Sequence, residues 1–189
     1  MDQETIRSFL AIELSNEAKN EAFSFIEKIE KNYLTFRFIP HQNWHLTLHF
    51  FGEISLAQVD QLHAELPKVL TKIQPFTISL YGIGAFPSNQ RPRILWIGVS
   101  GDLARLSALK HNIDQVLKKI DLQIESANYH PHVTIARVRK NEKALPLKVS
   151  QEFKGQAISH IDHITLFKSV LAPQGAKYEP LLIFSFGGI

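Results

Sequence analysis

The chain has 189 residues, 44% hydrophobic and 21% charged, with no cysteine and a formal net charge of +3 at neutral pH. That size and composition suit one folded domain with a sizeable core, and the missing cysteines exclude disulfides, thiolate metal sites and a cysteine nucleophile. The mild basic excess fits an anionic ligand, without the basic clusters that track a long duplex. No apolar run reaches the length of a membrane span. The start, "MDQETIRSFL", lacks the basic opening and apolar core of a secretory signal. The expectation is a cytoplasmic protein with no membrane contact.

In chain order, "RSFLAIEL" (7–14) reads as a first strand. Ser15 then opens a helical pattern, with Glu17 near its start and Ala22, Phe25, Ile26 and Ile29 at helical spacing. "LTFRFI" reads as a strand ended by Pro40, and "WHLTLHFFG" as another closed by Gly52. Residues 55–70 return to a helical period through Leu56, Val59, Leu62, Leu66 and Val69. Residues 76–86 and 93–99 are two strands joined by the polar loop "PSNQRP". A helix covers 102–120. "HVTIARV", a short strand near 153–158, "IDHITLFKSVL" and "EPLLIFSF" complete the chain, the last two flanking a turn in "APQGAK".

The stretch "HLTLHF" alternates, with Leu46, Leu48 and Phe50 on one side and His45, Thr47 and His49 on the other. His-apolar-Thr-apolar returns at His132-Val133-Thr134-Ile135 and again at His163-Ile164-Thr165-Leu166. Each half of the chain offers a helix, several strands and one early His-x-Thr strand. The predicted architecture is therefore a bilobal, pseudo-symmetric α+β domain spanning 1–189. Antiparallel sheets line a central cleft, helices pack outside, and the two motif strands face each other across the cleft.

Residues i and i+2 of a strand point the same way. Two such strands would place two imidazoles and two hydroxyls in one cleft. One neutral imidazole can take a proton while a charged one gives a proton. Threonine hydroxyls can donate to phosphate oxygens. The chemistry served by this set is in-line displacement at a phosphodiester, with water as nucleophile and no metal or cofactor required.

The wider stretches "IPHQNWHLTLHFFGEI", "GIGAFPSNQRPRILWIGV", "YHPHVTIARV" and "LFKSVLAPQGAKYEPL" resemble the LigT/ThpR-type RNA 2′,3′-cyclic phosphodiesterases of the two-histidine phosphoesterase superfamily. The resemblance covers essentially the whole chain. It implies hydrolysis of 2′,3′-cyclic phosphate on RNA ends or nucleotides to a 2′-phosphomonoester, by a monomer without cofactor. It also implies that His45 is the proton donor and His132 the proton acceptor, the order within the pair being open. Thr47 and Thr134 would bind the substrate phosphate, and Arg137 matches a phosphate-contacting arginine of the family. Strict alternation puts Arg137 on the face opposite His132. Two readings stand: it reaches the cleft by its length or through a bulge, or it is a surface arginine.

The third copy, His163 and Thr165, falls outside the family's two catalytic strands and reads as a chance recurrence of strand composition. His49 and His130 read as solvated strand residues in preference to lining the cleft rim, and Phe9 and Phe50 as core in preference to stacking a base. Three other functions are weighed. A metal hydrolase could use His41, His45 and His49, or His130 and His132, but i, i+4 ligands need a helix where this stretch alternates. A non-catalytic RNA-end-binding module would keep the cleft and lose the chemistry. A 2′–5′ RNA ligase would run the same transfer with a ribose hydroxyl in place of water.

Overall fold

The computed structural model describes residues 4–124, 129–147, 153–172 and 175–187. The chain runs β1 (Thr5–Glu13), α1 (Asn16–Glu30), β2 (Phe36–Phe38), a 3₁₀ turn (His41–Asn43), β3 (His45–Ser55) and α2 (Leu56–Leu70). It continues with β4 (Phe76–Phe86), β5 (Ile94–Gly101), α3 (Leu103–Lys119), β6 (His132–Val138), β7 (Lys154–Ile161), β8 (His163–Ala172) and β9 (Gly175–Ser185).

Local chemistry sets the helix starts. The Ser15 hydroxyl accepts from the Ala18 N–H at 3.2 Å and opens α1. Ser55 and Gln58 form a reciprocal capping box on α2. The Asp102 carboxylate caps α3 through the Arg105 N–H. The helices pack one face of the sheet. Ala18, Ala22 and Ile26 of α1, Leu62 and Leu66 of α2, and Leu106, Leu109 and Ile113 of α3 share one core with Leu46, Leu48, Val133 and Ile135. A separate small cluster of Phe9, Ala11 and Phe167, with Tyr178 against it, lies apart from that core.

All the strands join one antiparallel sheet of order β7-β4-β5-β6-β3-β1-β8-β9, with β2 added to β6. The two motif strands are thus neighbours, side by side, where the sequence reading set them face to face. The joint between them is narrow: Leu46 opposite Val133 is the pair in register. Four strands lie on either side of that joint, β7-β4-β5-β6 and β3-β1-β8-β9. Each half keeps its motif strand innermost, next to the strand that a helix connects to it. This is the expected two-lobed pseudo-symmetry, built in a single curled sheet.

Several boundaries differ from the sequence reading. β7, read near 153–158, runs to Ile161. β2 is shorter than "LTFRFI", because it runs antiparallel to β6 and β6 ends at Val138, opposite Phe36. β3 runs on past Gly52, which adopts φ +70° beside a register shift and so carries the strand through an irregularity that a side chain would strain. β9 begins at Gly175, inside the stretch read as a turn.

Candidate active site

Leu46 and Val133 are fully buried, so the residues flanking them on β3 and β6 point to the other face. Those flanking residues are His45, Thr47, His132 and Thr134, all partly exposed. The strands are antiparallel through Leu46 and Val133. Continuing that register by one residue sets His45 across from Thr134 and Thr47 across from His132. The positive form of His132 also acts electrostatically on His45. Both His-x-Thr pairs therefore occupy one site, related by the pseudo-two-fold of the sheet. Tyr129 ties the halves together here, its hydroxyl donating to the Thr47 carbonyl at 3.1 Å.

The two imidazoles are oriented by the same device. Nδ1 of His45 lies 2.8 Å from the carbonyl oxygen of Asn43, and Nδ1 of His132 lies 2.7 Å from that of His130. A carbonyl only accepts, so each Nδ1 carries hydrogen and, in the neutral ring, Nε2 is the basic nitrogen. Sequence reading missed these partners, because a backbone carbonyl two residues upstream leaves no side-chain signature. Aromatic rings fix the ring planes. His45 stacks on Phe9 at 4.7 Å and meets Tyr178 edge-on at 5.1 Å. His132 meets Phe86 edge-on at 5.0 Å.

Each motif threonine is followed by a β-bulge. In the β1–β3 pair, Thr47 faces Ala11 and His49 faces Leu10, which leaves Leu48 as the extra residue. In the β5–β6 pair, Thr134 faces Trp96 and Ala136 faces Leu95, which leaves Ile135 extra. The consequence is two consecutive inward residues, Leu48-His49 and Ile135-Ala136, all at 3% exposure or less. Alternation restarts one step late, and it brings Phe50 and Arg137 back to the motif face.

The bulge turns Arg137, which stays exposed, toward the cavity of about 460 Å³ that it lines with His45, Thr47, Phe9 and Tyr178. It corrects two other readings. His49 is a core residue, 3% exposed, not a solvated one. Burial pushes its pKa down to about 4, the Lys110 charge adding to that effect. Phe50 is 40% exposed and lines the cavity, with the Arg7 guanidinium 4.7 Å from its ring centre. Phe9 is buried, as expected of a core residue, but its ring forms the cavity floor beneath His45. His130 is exposed, as read, and packs 4.8 Å from the Trp96 ring.

The protein's own field favours neutral His45. Burial lowers its pKa to about 4, with the charges of Lys19 and His132 pushing the same way and the Asn43 carbonyl and Glu13 opposing. Burial also raises the pKa of Tyr178, against the influence of Arg137. Its phenol therefore stays a neutral donor beside His45. The third copy lies close by. Thr165 is fully buried and its hydroxyl donates to the Glu13 carboxylate at 2.8 Å. His163 pairs with Asp162 at 2.6 Å. The Thr165–Glu13 bond joins β8 to β1, and neither His163 nor Thr165 lines the cavity.

The histidines weighed as metal ligands diverge: His41 stacks on Phe23, His45 faces the cavity and His49 enters the core. Among the described residues, no three His, Cys, Asp or Glu side chains group as a metal site would require. No helix among them is long and apolar enough to cross a membrane.

Comparison with known proteins agrees with this geometry. The model of the LigT like phosphoesterase family matches twice, over residues 12–96 and 97–178, with His45 and Thr47 in the first match and His132 and Thr134, followed by the third copy, in the second. An RNA 2′,3′-cyclic phosphodiesterase of Aquifex aeolicus is 30% identical over 186 residues, covering 97% of this chain and 98% of the relative. One from Aeropyrum pernix is 32% identical over 147 residues, covering 76% and 82%. The crystal structure of E. coli LigT complexed with 3′-AMP superposes with a TM-score of 0.80 at 24% identity, covering 97% of this chain and 99% of that one. Matched in both halves by one family model, each half with its own His-x-Thr strand, the chain belongs to the LigT-like phosphoesterase family.

Proposed function

We propose that this chain is an RNA 2′,3′-cyclic phosphodiesterase that opens the cyclic phosphate to a 2′-phosphomonoester by two-histidine acid–base catalysis. The relatives bearing that name support the activity. The mechanism rests chiefly on one observation: two imidazoles stand on one face of neighbouring strands, each held through Nδ1 by a backbone carbonyl.

Neutral His132 takes a proton from water as the water oxygen attacks phosphorus. The bond from phosphorus to the ribose 3′ oxygen breaks, and His45 gives that oxygen its proton. Each imidazole ends in the other's starting state, and exchange with solvent resets both. Thr47, Thr134 and Arg137 hold the non-bridging oxygens, where negative charge is greatest. The site needs no cofactor for any of these steps.

Residues 1–189 act as one two-lobed domain, because each lobe supplies one histidine and neither suffices alone; the working form in this reading is a monomer in the cytoplasm. The test is incubation with an RNA oligonucleotide ending in a 2′,3′-cyclic phosphate, the product being identified by phosphorus NMR. A 2′-phosphomonoester is expected. A 3′-phosphomonoester, or an intact ring, would overturn the proposal.

A further inference from the structure

We infer that the hollow beyond Arg137 holds the nucleotide on the 5′ side of the reacting one, with Arg37 and Lys177 on the phosphodiester that joins the two. This inference rests on the phosphodiesterase reading and extends it to the substrate's length.

A second cavity of about 360 Å³ adjoins the catalytic one and shares Arg137, Ala176 and Tyr178 with it. Its lining carries three cations, Arg37, Arg137 and Lys177, and among the described residues no Asp or Glu. Arg37 and Arg137 are directly opposite each other in the β2–β6 pair. Phosphate suits this place best, because guanidinium forks grip its oxygens bidentately.

Apolar surface completes the hollow. Phe38, Ile39 and Pro40 form one wall, a surface for a base or ribose that does not select sequence. The direction follows from the chemistry of the substrate. A 2′,3′-cyclic phosphate closes the 3′ end, so the chain leaves the site only through its 5′ oxygen. The hollow sharing most lining with the catalytic cavity is the natural exit. A different hollow beside Arg93 touches the catalytic cavity through Arg137 alone.

The test compares kcat/KM for three substrates at one salt concentration: a nucleoside 2′,3′-cyclic phosphate, the same compound bearing a 5′-phosphate, and a dinucleotide ending in the cyclic phosphate. Wild type should rise in that order, by about tenfold or more overall, the worth of one charge-assisted hydrogen bond. Arg37→Gln and Lys177→Gln, each checked for folding by circular dichroism, should each cut the ratio of dinucleotide to mononucleoside kcat/KM. The double variant should erase the ratio. Equal values for all three substrates in wild type, or a ratio that survives the double variant, would overturn the subsite. Wild type inert on all three would instead overturn the phosphodiesterase reading beneath it.

Discussion

Burial holds the His45 pKa down at about 4, with the Lys19 charge pushing the same way, so at pH 7 the proposed acid starts out neutral. Substrate must charge it. Raising a pKa from about 4 to 7 requires about 4 kcal/mol of differential interaction, at about 1.4 kcal/mol per unit. A phosphodiester anion about 4 Å from the imidazolium supplies about 4 kcal/mol at an effective dielectric constant of about 20. The two figures match, so binding should load the acid with its proton.

The perturbation is His132→Ala, which retains the substrate but removes the base and leaves His45 as the imidazole to be charged. The ligand is a nucleoside 2′,3′-cyclic phosphate, a diester with no proton of its own to exchange near neutrality. Isothermal titration calorimetry in two buffers of different ionisation enthalpy counts the protons taken up. At pH 7 the expected uptake is about half a proton or more per site, rising toward one at pH 6. Uptake near zero at both pH values would mean that His45 stays neutral with phosphate bound. It would then not be the acid, and the roles of the pair would have to be exchanged.

Other consequences follow from the same geometry. His49 is buried with its pKa depressed to about 4, so the fold prefers its neutral form; this contribution to stability is full above about pH 6.5 and is lost as pH falls toward 4. At pH 5 the loss is on the order of 2 kcal/mol, and His49→Leu should flatten the pH dependence of urea unfolding by that amount relative to wild type. Arg137→Ala should raise KM and lower kcat together, by roughly 10²-fold or more in kcat/KM, and Arg137→Lys should restore only part, since the fork is lost. Equal activity of the lysine and arginine forms would show that only charge matters there. Phe9→Leu keeps an apolar floor but removes the ring stacked on His45, and should lower kcat with little change in KM. An unchanged kcat would show that the Nδ1–carbonyl bond alone orients the imidazole.

The sequence carried the motif face and the helical and strand periods well, because His45, Thr47, His132 and Thr134 alternate cleanly with buried Leu46 and Val133. Alternation failed one residue past each threonine. A bulge inserts an extra inward residue at Leu48 and at Ile135, and it leaves no mark in a run that already alternates. For that reason His49 read as solvated, Phe50 as core and Arg137 as undecided. The same extra residue explains all three. Pairing geometry was equally hidden, since nothing in "HLTL" or "HVTI" says whether the two strands face each other or lie side by side. The carbonyls of Asn43 and His130 that orient the imidazoles are backbone atoms, which composition does not report. Arg37 owes its place opposite Arg137 to a three-residue strand paired across the sheet, a contact no local pattern announces.

The central claim is that His45 and His132, and not the third copy, are the acid and base. It is tested most directly by hydrolysis of a 2′,3′-cyclic phosphate substrate in excess EDTA by wild type, His45→Ala, His132→Ala and His163→Ala. The account predicts activity that survives EDTA and His163→Ala and falls roughly 10²–10⁴-fold in each of the other two. Activity abolished by EDTA, or lost to the same degree in His163→Ala, would contradict it.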